Sequence, residues 1–166
     1  TTVIVKGTVS TAERNFFAVG INCWDAGSQK GTLILEKAKA GGEANAIYVN
    51  AAPGASQEDI LNSLPDIVVG ELVAKNEDFI WNSYDNGLYG NDPEDETIGE
   101  LNEKIYATIR YMIRWNNSEG GSFSVNGTSK YGEYDVAQEN QELGITIQIA
   151  EGYELESISG GKAQVL

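Results

Sequence analysis

Residues 103–115 read EKIYATIRYMIRW, and this stretch carries two periods at once. With period 2, Ile105, Ala107, Ile109, Tyr111, Ile113 and Trp115 share one face of a strand. Lys104, Tyr106, Thr108, Arg110, Met112 and Arg114 share the other. With period 3.6, Ile98, Leu101, Ile105, Ile109, Met112 and Ile113 form the apolar stripe of a helix. The flanking residues divide the stretch. Asp92-Pro93-Glu94-Asp95-Glu96 is a helix start: a capping Asp, Pro at the first position, then acids against the dipole. Beyond it, seven of the eleven residues from Ile105 to Trp115 are Ile, Tyr, Thr or Trp, which favours a strand. A continuous helix would also put Asn102 on the apolar stripe and leave Tyr111 and Trp115 outside it. The expectation is therefore a short helix over about 93–102, then a central strand from about Lys104 to Trp115. Its odd positions would fill the core. The alternative is one long helix over about 93–115 and an α+β fold.

Upstream, Thr2–Val9 reads as a strand with a weak point or bulge at Gly7. Phe16–Trp24, Thr32–Ala38 and Ala46–Ala51 follow as further strands with short links, suggesting an antiparallel meander. Ser56 caps a two-turn helix whose first turn is Gln57-Glu58-Asp59 and which Pro65 ends. Asp66–Ala74 is a β-branched run interrupted at Gly70, and Phe79–Tyr84 is a short strand. Downstream, Asn126-Gly127 carries the type I′ hairpin signal between Ser122–Val125 and Lys130–Val136. Gly144–Ala150 alternates cleanly, and Glu151-Gly152 turns it into Tyr153–Ile158. No repeat is visible by inspection. These elements predict a mostly β single domain over residues 1–166, an antiparallel sandwich or barrel with one or two short helices.

Composition limits the chemistry. The 166 residues hold 25 acids, 11 bases and no His, a net charge of −14. Nucleic acid and anionic membranes need basic patches, so neither is an expected partner. No apolar run is long enough to span a membrane, and no signal-peptide pattern is visible. Without His, imidazole bases, Ser-His triads and ordinary zinc sites are excluded; no phosphate-binding loop is present either. Carboxylate chemistry remains, and a glycoside hydrolase working through two acids is the least favoured reading. The one cysteine, Cys23, lies in an apolar run and is expected to be a buried thiol.

Three groups of residues are candidates for contact. Between Lys75 and Lys104 there is no base, and Asp85, Asp92, Asp95 and Glu96 are candidate Ca²⁺ ligands, although the EF-hand spacing is absent. The competing reading is a solvated acidic loop and helix start. Trp24 beside Asp25, with Trp81, Tyr84 and Tyr89, forms a candidate carbohydrate-stacking set. Against that stands ordinary packing of large aromatics. Finally, the β-prone ends, Thr2–Val9 and Ala163–Leu166, are candidate strand donors. Val3, Ile4 and Val5, with Arg110 and Arg114 on the basic face of the central strand, are the candidate interface. Asn116 and Asn126 match the glycosylation pattern. The expected function is a non-enzymatic structural subunit of an extracellular, surface or particle assembly, a homo-oligomer or polymer joined through strand edges. It requires no cofactor beyond an optional Ca²⁺. The alternative is a lectin-like carbohydrate-binding module.

Overall fold

The computed structural model describes residues 1–12, 17–24, 30–42, 44–75, 79–84 and 100–156. The fold is mostly β with two short helices among these residues, as the sequence predicts. The strand directions in the first half differ from the expected meander. β1 (Thr2–Ser10), β3 (Thr32–Lys39), β5 (Asp66–Val73) and β7 (Arg110–Met112) lie side by side, all parallel. β2 (Phe17–Cys23), β4 (Asn45–Ala51) and β6 (Ile80–Asn82) form a second parallel sheet. The chain thus alternates between two sheets and advances one strand per turn, as a coil does. Parallel neighbours cannot be joined by tight hairpins. Here the intervening strand of the other sheet is the crossover, which is why the links look short in sequence.

The two sheets share one core. Leu35, Ala38, Ile67 and Val69 meet Ile21, Cys23, Ile47, Val49 and Ile80. Residues buried on both sides read as near-continuous apolar runs, and DIVV in β5 is an example: Ile67, Val68 and Val69 are all fully buried. Val68 points the other way, into a smaller cluster with Ile34, Met112 and Val136 beneath Tyr131 and Tyr134. That cluster is covered by β9 (Ser129–Tyr131) and β10 (Tyr134–Gln138), which extend the first sheet, β10 antiparallel to β7 and β9 antiparallel to β10. The tight hairpin is β9–β10, closing at Gly132 with φ 60°. Asn126-Gly127 instead ends β8 (Gly121–Asn126), whose partner is β11 (Gly144–Ile149). The expected strand at Tyr153 is absent over residues 153–156.

The helix α1 (Gln57–Ser63) starts where expected. The Ser56 hydroxyl accepts from the Asp59 N–H at 3.1 Å while the Asp59 carboxylate accepts from the Ser56 N–H at 3.2 Å. Gly70 does not interrupt β5. The bulge expected at Gly7 is present: the β1–β3 register shifts between Val5 and Thr8, and the Gly7 N–H donates to Glu36 Oε2 at 2.6 Å.

In the opening stretch the helix runs further than expected and the strand is shorter. α2 covers Glu100–Thr108, with Leu101 and Ile105 fully buried, and β7 follows at Arg110–Met112. A single helix to Trp115 is excluded, and so is a strand from Lys104. Trp115, expected in the core, is 38% exposed, because pairing to β5 ends well before it. Asn102 explains the misplaced boundary. It does lie on the inner side of the helix, and there it is needed: its Oδ1 accepts from Asn82 Nδ2 at 2.7 Å and its Nδ2 donates to the Ile80 carbonyl at 3.2 Å.

Candidate functional site

The two ends of the coil are built differently. At the far end of the second sheet, β6 has no strand beyond it among the described residues. α2 supplies partners instead. The Tyr106 hydroxyl accepts from the Phe79 and Ile80 N–H groups at 3.0 and 3.1 Å. Asn102 bonds the Ile80 carbonyl and the buried Asn82 amide. An unpaired buried backbone group costs about 1–3 kcal/mol, so these contacts make α2 a polar and apolar stopper. Lys104 ties the stopper to α1 through Gln57 Oε1 at 2.5 Å. In the first sheet, the far end is taken by β10 and the three-residue β9.

At the near end, β1 and β2 are the outermost strands of their sheets. Among the described residues no side chain bonds the outer edge of β1. The Thr32 N–H donates to the Thr1 carbonyl at 2.8 Å, so odd residues of β1 face β3. Alternation along the strand then turns the N–H and C=O groups of Thr2 and Ile4 outward. The core is also open here. Val3 aligns with Leu33 of the interior cluster, yet it is 49% exposed. Ile4 aligns with the buried Ile34 and is 51% exposed.

A row of rings crosses the outer face of the second sheet. Phe17 stacks on Tyr48 at 4.7 Å and 26°, and Tyr48 meets Trp81 at 5.1 Å and 42°. Phe17 can lie in this row because Gly20 leaves room: a Cβ there would be 3.1 Å from its ring. Beside it, Asn50 Nδ2 donates to Asn22 Oδ1 at 3.0 Å, and the Tyr48 hydroxyl donates to Asn50 Oδ1 at 3.0 Å. The row ends at the open end, where Phe17 and Trp24 are exposed.

The candidates read from the sequence are distributed as follows. Val3, Ile4 and Val5 lie together on the open edge. Arg110 and Arg114 do not join them, since β3 and β5 intervene. Arg110 pairs with Asp66 at 3.7 Å and lies 5.4 Å over the Tyr131 ring. Arg114 pairs with Glu36 at 3.7 Å. Trp81 is in the ring row, Trp24 is exposed, and Tyr84 packs against the core. Asp25 and Tyr89, and all four candidate Ca²⁺ ligands (Asp85, Asp92, Asp95 and Glu96), lie outside the described residues, as does Ala163–Leu166. Phe17, Tyr48, Asn22 and Asn50 were not singled out in the sequence. Aligning AVGINC (18–23) with AIYVNA (46–51) sets Asn22 against Asn50 and Gly20 against Tyr48, which exposes the paired Asn but not the Phe17 ring.

Burial pushes the Cys23 thiol up, against a smaller lowering by its hydrogen bond with Ser63. Burial, then the Glu139 carboxylate, pushes the Tyr111 phenol up to about 12. Both groups are therefore protonated at neutral pH. Comparison with protein families, with curated proteins and with solved structures finds no match.

Proposed function

We propose that this chain is a non-enzymatic structural subunit that associates with other copies of itself through the open end of its coil. The observation that carries this reading is the contrast between the ends. One is stoppered by Asn102 and Tyr106, while at the other β1 presents outward-facing backbone groups beside half-exposed Val3 and Ile4. An unprotected strand edge next to apolar side chains is a template for strand addition. The edge itself is nearly free of charge: the nine-residue β1 and seven-residue β2 carry one charged side chain between them, Lys6, in a chain of net charge −14. The test is size-exclusion chromatography with light scattering over a range of concentrations. The native chain is expected to associate, and Ile4→Lys, which puts a desolvated charge on the edge, is expected to shift it to monomer. A native chain that stays monomeric throughout would overturn the reading.

A second reading, a carbohydrate-binding module, is favoured by Trp24, 56% exposed just after β2, whose Asn22 amide pairs with Asn50 of β4. The ring row argues less for it, since Tyr48 has a ring neighbour on either side. On this reading a panel of sugars shifts the tryptophan fluorescence and Trp24→Ala removes the shift. No shift with any sugar counts against it.

A further inference from the structure

We infer that association through the open end is twofold symmetric and closed: β1 pairs antiparallel with β1 of a second copy, around an axis at Val3, giving a dimer and not a fibre. This inference rests on the preceding proposal and fixes its geometry. A fibre needs head-to-tail contacts, in which the open end of one copy meets the far end of the next. The far end cannot serve. The β6 edge is occupied by the Tyr106 hydroxyl and the Asn102 amide, and the first sheet ends in β9, whose exposed Ser129 and Lys130 offer β1 no apolar side chain. Among the described residues β2 and the β8–β11 ribbon also end in open edges, but the edge that continues the first sheet and matches the half-exposed Val3 on its inner face is another β1.

The bulge then sets the register. β1 is regular from Thr2 to Val5 and shifts before Thr8, so pairing is confined to the segment before Lys6. In that segment Thr2 and Ile4 carry the outward groups. An antiparallel pair bonds such residues to each other, so Thr2 faces Ile4 of the second copy and Ile4 faces its Thr2. Val3 falls on the axis as a non-hydrogen-bonded pair, the closer kind, with Cα atoms about 4.5 Å apart. Val3 is also the half-exposed residue of the inner face, so the contact continues the row Val3–Leu33–Ile67 from one core into the next. Centring on Ile4 instead would set Lys6, at the bulge, opposite Thr2, where the ladder is broken. Lys6 is placed outside the pair in the Val3 register, so like charges are not opposed across the axis.

Two substitutions test this in a Cys23→Ala background. Val3→Cys sits within disulfide range of itself only in this register. Mild oxidation is expected to give a covalent dimer in high yield, and Thr8→Cys, beyond the bulge, is expected to give little. Ile4→Pro removes an N–H that faces outward and is not used by β3, so far-UV circular dichroism should be retained. The dimer dissociation constant is expected to rise roughly tenfold or more. Native chains that form a ladder of polymers overturn the closed geometry. Native dimers that survive Ile4→Pro and do not cross-link through Val3→Cys overturn the β1 pairing while leaving self-association standing. Dimers abolished instead by Ile145→Lys and Ile149→Lys, on the exposed β8–β11 ribbon, move the interface there. A native chain that is monomeric at every concentration overturns both this inference and the proposal beneath it.

Discussion

Gly70→Ala is expected to destabilise the fold by about 3 kcal/mol, or to prevent its folding, although it adds one methyl group. A Cβ at this position would lie 2.3 Å from the Glu36 carbonyl oxygen and 3.3 Å from its carbon. The obstacle is backbone in a central strand, held between β1 and β5, so it cannot turn aside as a side chain would. Any retreat of Glu36 is transmitted. Its Oε2 accepts the Gly7 N–H at the β1 bulge, and its Oε1 faces Arg114 at 3.7 Å. The bulge, the close approach at Gly70 and the ion pair therefore form one row across the first sheet. For a chain of this size, a loss of about 3 kcal/mol lowers the thermal midpoint by roughly 6–12 °C. Gly144→Ala is the control: a Cβ there meets Asn126 at an ordinary 3.7 Å, and the expected change is within about 0.5 kcal/mol. Equal midpoints for the two variants would show that β3 and β5 can part without cost.

The sequence reveals this row only in part. Gly7 is readable as a bulge because a glycine within an apolar run has few other uses. Gly70 looks like an interruption because a close approach depends on a neighbour 34 residues away, Glu36, that local pattern does not identify. The same limit hides the coil. β1 and β3 align at Thr2 and Thr32, β3 and β5 at Thr32 and Asp66, and β5 and β7 at Val68 and Arg110. The spacing lengthens from one turn to the next as α1 and then α2 are accommodated in the links, so no fixed period exists for the eye to find. The similarity survives within strands, as TVIV, TLIL and DIVV in one sheet and AVGIN and AIYVN in the other. Strand existence was therefore legible from alternation and β-branched composition, while strand direction was not. The open edge was legible as a candidate in Val3, Ile4 and Val5. What could not be read was that the opposite end is closed, because closing it depends on Asn102 and Tyr106 reaching β6, which lies about twenty to twenty-seven residues earlier.

That closure leads to the second large effect. Ile105→Ala is expected to cost about 3 kcal/mol, since Ile105 is fully buried in the main core and its truncation leaves a cavity between α2 and the sheets. The denaturation midpoint should fall with an unchanged m-value, as befits a loss of stability without a change in the unfolded state. Ile105 also holds the helix that stoppers β6. With its anchor weakened, Tyr106 and Asn102 hold the Phe79 and Ile80 backbone groups less tightly, and the far edge is intermittently free. Tyr106→Phe separates the two roles. It keeps the apolar ring but removes the acceptor shared by two N–H groups at 3.0 and 3.1 Å, a smaller cost of about 1–2 kcal/mol. If the stopper is what limits assembly, both variants should show species larger than a dimer by light scattering, and Tyr106→Phe should do so at the smaller loss of stability. Should Ile105→Ala alone enlarge the particles, in proportion to unfolding, aggregation of the denatured chain is the cause and the hydroxyl has no part in it. Larger particles from the folded Tyr106→Phe variant would instead locate the barrier to head-to-tail growth in a single phenolic oxygen on α2.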